Sequence, residues 1–147
     1  MRRFSSRLAL LGLALALAAC GPSISQFNAQ AYEHATSLKV DALALMEAAT
    51  EPYAQHEADV QQLRTDLRKA YEFARGRPNN EISARQWDIL IDPERDLLGG
   101  FLRDWQERST LSAVFVTEKK AQVAEAFDTI IELESGKRNP ESVQAER

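Results

Sequence analysis

From Ile24 onward the apolar residues fall three or four apart without interruption: Ile24, Phe27, Ala31, Ala35, Leu38, Ala42, Leu45 and Ala49. That spacing lays a single apolar stripe along an α-helix and does not fit the alternation of a half-buried strand. Tyr53, Val60, Leu63, Leu67, Ala70 and Ala74 carry it further, with His56 at a stripe position. Pro52 interrupts the run and poses a fork. Either Thr50 caps a second helix that starts near Glu51, giving an antiparallel hairpin with a tight connection, or one helix kinks and continues. The stripe stays in phase through Leu45, Ala49, Tyr53 and His56, and no glycine marks a turn, which speaks for one rod. A single helix from Ile24 to Arg75 would be roughly 75–80 Å long at about 1.5 Å per residue. A proline inside it costs about 3 kcal/mol, so the expectation adopted is the break.

Gly76 followed by Pro78 reads as a helix stop. Asn79 and Asn80 belong to a loop. Ser83 with Gln86 matches a capping box, and Ile82 is placed to staple against Trp87, which predicts a short helix ending near Ile91. Asp92-Pro93 has the pattern of an N-cap and first-turn proline and opens a helix with Leu98, Phe101, Leu102 and Trp105 on one face. After a connection from Ser109 to Ser112, the last helix carries Val116, Val123, Phe127 and Ile130 as its stripe and closes at Gly136. Lys137 to Arg147 is polar, contains Pro140 and has no apolar period, which predicts a disordered tail. No segment reads as a strand. The fold class is all-α, a bundle of about four helices spanning residues 24–136.

The N-terminus has a separate logic. Arg2, Arg3 and Arg7 precede an apolar run from Leu8 to Ala19, and the only cysteine, Cys20, follows Leu17-Ala18-Ala19. The run is too short to span a bilayer, which needs about 20 apolar residues, and has the form of a signal peptide. The four residues from Leu17 to Cys20 resemble the lipobox of bacterial lipoproteins. The resemblance implies cleavage after residue 19, diacylation of the Cys20 sulfur, and a short tether over residues 20–23. Two or three acyl chains hold a protein stably at a membrane where one does not. Gly21 stands where enteric lipoproteins kept at the inner membrane have Asp, which implies the periplasmic face of the outer membrane. A thiol consumed by lipid leaves no disulfide to support the fold. The remainder looks like the small helical lipoproteins of Gram-negative bacteria.

Removing residues 1–19 takes away three arginines and no acid, so the net charge moves from −4 to −7 over 128 residues. That is enough chain for one domain with a core. The acidity speaks against nucleic-acid binding, which rewards clustered Lys and Arg. The one basic stretch holds Arg64, Arg68, Lys69, Arg75 and Arg77 against Asp66 and Glu72. Contact with anionic headgroups or cell-wall material competes there with ordinary helix-surface pairing, Asp66 with Lys69 and Arg68 with Glu72.

Motifs that carry chemistry are missing. His34 and His56 lack the Glu-x-x-His pattern of helical-bundle metal sites, and neither a G-x-S-x-G nucleophile nor a phosphate-cradling glycine loop is present. No metal, cofactor or catalytic residue is therefore expected. The stretch DLLGGFLRDW, Asp96 to Trp105, stands out instead. Gly99 and Gly100 point away from the face formed by Leu98, Phe101, Leu102 and Trp105, where exposed glycine would cost about 1 kcal/mol each against alanine. A break capped by Gly99, a close approach by another part of the chain, and a close approach by a partner are all consistent with this. The expected function is interaction: a lipid-anchored, non-enzymatic protein offering a surface around Gly99, Gly100, Phe101 and Trp105 to an envelope protein or to a second copy. The alternative is a carrier with an apolar cavity for a lipid or small ligand between its helices.

Overall fold

A computed structural model describes residues 26–138 and 142–143. Its elements follow from the stripes. Helix α1 (Ala29–Glu47) buries Ala31, Ala35, Leu38, Ala42 and Met46. It begins later than the periodicity suggests, because the Asn28 side chain accepts a 3.0 Å hydrogen bond from the Ala31 amide and caps it. Phe27 therefore precedes the helix and stands 62% exposed. Helix α2 (Glu57–Gly76) buries Val60, Leu63, Leu67, Ala70 and Ala74, the residues its period names.

Between them the chain breaks at Pro52. Two short 3₁₀ turns, Ala48–Thr50 and Tyr53–Gln55, flank the proline, which sits in extended backbone. Thr50 caps nothing; α2 starts at Glu57, seven residues later. The in-phase stripe survives because Ala49 and Tyr53 are still buried, but by the turn rather than by a continuous helix.

Two further starts differ from the sequence reading. Helix α3 (Glu81–Ile91) begins two residues before Ser83, so Ser83 lies inside the first turn and caps nothing. Ile82 packs with Leu133 and Val143 instead of stapling against Trp87. Val143 is buried and residues 142–143 are helical, so the predicted tail touches the bundle at that point. Asp92-Pro93 opens a turn, in which Asp92 Oδ1 accepts from the Glu94 amide at 2.9 Å, and helix α4 (Leu98–Arg108) starts only at Leu98. Helix α5 (Ala113–Ser135) runs from a Ser112 cap to Gly136 in the left-handed conformation at φ 72°, as its sequence implies. At the end of α2 the positive φ falls on Asn79 (54°), not on Gly76.

Helices α1, α2, α3 and α5 form an up–down–up–down bundle, each packed on its neighbours, while α4 crosses one end. Lys39–Asp128 (2.6 Å) and Lys120–Glu47 tie α1 to α5 across the surface. The core runs the length of the bundle through Met46, Val60, Trp87, Leu90, Trp105, Val123, Phe127 and Ile130, and Trp87 meets Phe127 edge-to-face at 5.9 Å. All described residues are helix, turn or connection, without a strand. None of the described helices is long and apolar enough to cross a membrane.

The glycine pair explains how α4 is seated. A Cβ on Gly99 would fall on the backbone of Ile91 and Asp92, and one on Gly100 on the carbonyl of Arg95. Of the three explanations open from the sequence, the close approach is made by the chain's own turn. Gly76, by contrast, faces open space, and a methyl group added there would meet nothing within 4 Å. Gly100→Ala should accordingly lower stability by about 1–3 kcal/mol through overpacking, whereas Gly76→Ala should raise it by about 0.4–1 kcal/mol; urea denaturation of the two variants checks both signs.

Candidate functional site

The residues that the sequence offers as an interaction surface lie inside the protein. Gly99, Gly100, Phe101 and Trp105 are all buried, Trp105 completely. Trp105 donates its indole N–H to the Glu51 carbonyl at 3.0 Å and packs edge-to-face on Tyr53 at 5.6 Å. Phe101 stacks on Phe115 with ring centroids 6.2 Å apart. Amphipathic periodicity marks a face that must be covered, and α4 covers it with the Pro52 corner and α5. This stretch is corrected from surface to core. Cys20, the other singled-out residue, lies outside the described residues.

The opposite end of the bundle holds a polar cluster that periodicity did not reveal. Glu134 is buried, with 1% of its side chain exposed, and pairs with Arg77, whose side chain is 11% exposed. Ser83 Oγ donates to the same carboxylate, and Asn80 Nδ2 lies 3.4 Å from it while also donating to the Ala74 carbonyl at 2.9 Å. Arg77 reaches on to the Gln26 carbonyl at 2.7 Å. One carboxylate thus joins the segment leading into α1, the end of α2, the start of α3 and the end of α5. The available signal was Glu134's place four residues after Ile130, a charged residue continuing an apolar stripe.

The surface feature with most chemical content is a groove of about 660 Å³ between α1 and α2. Ala29, Leu38 and Ala70 give it an apolar floor; Glu33, His34, Ser37 and Asp41 line it from α1, and Asp66 and Lys69 from α2. Asp66 accepts from Lys69 at 2.8 Å and from Gln62 at 2.8 Å. The Lys69 hydrogen bond, then that of Gln62, holds the Asp66 carboxyl below its ordinary range. This is one of the two pairs anticipated on α2; the other differs, since Glu72 pairs with Arg75 at 3.1 Å rather than with Arg68. Carboxylates therefore outnumber the one lysine. His34 presents its ring to Phe73 at 5.2 Å, and its Nδ1 is buried without a hydrogen-bond partner among the described residues. Such atoms are few in folded proteins and call for a reason. His56 is different: it sits by Trp105 at 5.5 Å and meets Glu51 at 2.9 Å. Among the described residues no three His, Asp or Glu side chains are placed to hold a metal ion. The groove offers hydrogen-bond acceptors and negative charge around small apolar residues, a surface suited to a cationic, partly apolar segment.

No protein-family model, curated protein or solved structure matches the chain.

Removing the Glu134 carboxylate leaves Arg77 buried beside no counter-charge. Glu134→Ala should cost about 3–5 kcal/mol, while Glu132→Ala, which breaks an exposed pair with Arg138, should cost no more than about 1 kcal/mol. Chemical denaturation of the two variants measures the contrast.

Proposed function

We propose that this protein is anchored to the bacterial envelope by lipid on Cys20, on the periplasmic face of the outer membrane, and acts without catalysis by holding a protein partner in its α1–α2 groove. Leu17-Ala18-Ala19-Cys20 after a short apolar run supports the anchor. Five residues lie between Cys20 and Gln26, so Gln26, where the described structure begins, stays within about 20 Å of Cys20 even on a fully extended tether.

The observation that carries the interaction reading is the groove itself. It lies on the helix that follows the anchor, and it joins acidic walls from Glu33, Asp41 and Asp66 to an apolar floor. Its complement is a basic amphipathic segment, read by apolar anchors and charge together. A second copy fits less well, since the processed chain carries net charge −7 and would meet its own sign. Nucleic acid is disfavoured for the same reason. A carrier of apolar ligands needs interior space, and Trp87, Trp105, Phe127 and Met46 fill the centre of the bundle.

Two measurements test this. Cys20→Ser should abolish incorporation of labelled palmitate and release the protein from the membrane fraction; persistent membrane association would overturn the anchor. A photo-crosslinking residue at the exposed Ser37, with Cys20 intact, should yield a discrete adduct in living cells that is lost when Asp41 is changed to Lys. The same probe at Gln106, exposed on α4, should yield none. No adduct at Ser37, or an adduct with the mass of a homodimer, would overturn the envelope-partner reading.

A further inference from the structure

Most arginines of the described residues face a carboxylate: Arg75, Arg77, Arg95, Arg103, Arg108 and Arg138 are each in an ion pair. Arg64 and Arg68 are not, although they stand one turn apart on the same side of α2. Both line a second cleft, of about 170 Å³, whose other walls are Leu67, Ile91, Pro93, Gly99 and Leu102. Among the described residues no acid lines it. Unpaired guanidiniums repel one another, and a pair of them at this spacing is unfavourable without an anion between them.

The cleft has a further positive element. Gly99, the second residue of α4, is part of the cleft wall, so the positive end of that helix's dipole lies beside the cleft. Glycine there permits the tight seating of α4 on Ile91 and Asp92 that shapes this wall. The two guanidiniums bring two full charges and up to ten N–H donors, whereas a carboxylate offers one charge and two oxygens. A phosphate monoester carries about −1.5 to −2 charge at pH 7 and three oxygens, which matches the charge and offers more acceptors than a carboxylate. Size sets the other limit. Sites for whole cofactors or drug-sized ligands occupy about 300–1,000 Å³, so this cleft holds a headgroup and a short apolar stub, not a nucleotide or an acyl chain.

We infer that Arg64 and Arg68, with the start of α4, form a binding site for a phosphate monoester group. The group is either soluble or carried on a lipid headgroup. The site is on the far side of α2 from the α1–α2 groove and does not rest on the partner proposed for it.

The test is isothermal titration calorimetry on the full lipidated chain in a non-ionic detergent, with glycerol 3-phosphate and with dihexanoyl phosphatidic acid as probes. At least one should bind. Arg64→Gln and Arg68→Gln should each weaken it about tenfold, the loss of a charge-assisted hydrogen bond. Arg85→Gln, which removes another arginine with no ion pair, should leave it unchanged, and circular dichroism should show the same helix signal in all three. Phosphatidic acid binding tenfold tighter than glycerol phosphate supports a lipid headgroup; equal binding supports a soluble phosphate. No heat from either probe would overturn the site, as would an Arg85 variant as weak as the other two.

Discussion

The bundle depends on a corner that the chain cannot make alone. At Pro52 the backbone leaves the helix, and its polar groups need partners. They find them on the connection between α4 and α5: the Tyr53 amide donates to the Ser109 carbonyl at 2.8 Å and the Leu111 amide to the Ala49 carbonyl at 2.8 Å. The Trp105 indole takes the Glu51 carbonyl between them. Two turns far apart in sequence thus satisfy each other's hydrogen bonds beneath α4. This fixes the antiparallel return of α2 and so decides a hairpin over a rod. It also accounts for the inward aromatic face of α4: without Trp105 the Glu51 carbonyl at the Pro52 corner would lose its protein donor.

At the other end the same problem is solved with charge. Helix termini leave amides and carbonyls unsatisfied, and here three termini meet. Asn80 takes a carbonyl of α2, and Glu134 draws Arg77, Ser83 and Asn80 together. A buried ion pair adds little net stability over apolar packing, because desolvation offsets most of its attraction. What it adds is register, since only one arrangement of the three helix ends gives this carboxylate its donors. Arg77 also holds Gln26, the point where the chain leaves for the proposed anchor.

With both ends fixed, the outer faces of α2 are free to differ. Toward α1 it shows Asp66 and Lys69 in a groove dominated by acids; toward α3 and α4 it shows Arg64 and Arg68 over an apolar cleft. The two sides of α2 thus differ in charge: Glu33 and Asp41 of α1 make the groove side acidic, while Arg64 and Arg68 make the other basic. A net charge alone would average these away, whereas the width of the helix keeps them apart.

The apolar period determined the helical class and most of the buried faces of α1, α2 and α5, because burial every three or four residues leaves its mark in sequence. On α1 it named Phe27, which is exposed, and Leu45, which is half-buried beside the buried Met46. The end of α5 was legible from Gly136. The break at Pro52 was also legible, from the cost of a proline inside a helix. The period could not say what covers each face. Phe101 and Trp105 read equally as core or as contact surface, and the fold put them inside because the Pro52 corner needed a lid. Gly99 and Gly100 looked exposed because the covering turn comes from Ile91 to Arg95, outside their own helix. Asn80, Ser83, Arg77 and Glu134 were missed because donors and acceptors separated by more than fifty residues leave no local pattern. The clefts on either side of α2 exist only once neighbours are packed beside it. Side-chain chemistry, written in the sequence, determines which groups avoid water; tertiary structure decides which polar groups meet, because that depends on where distant segments end.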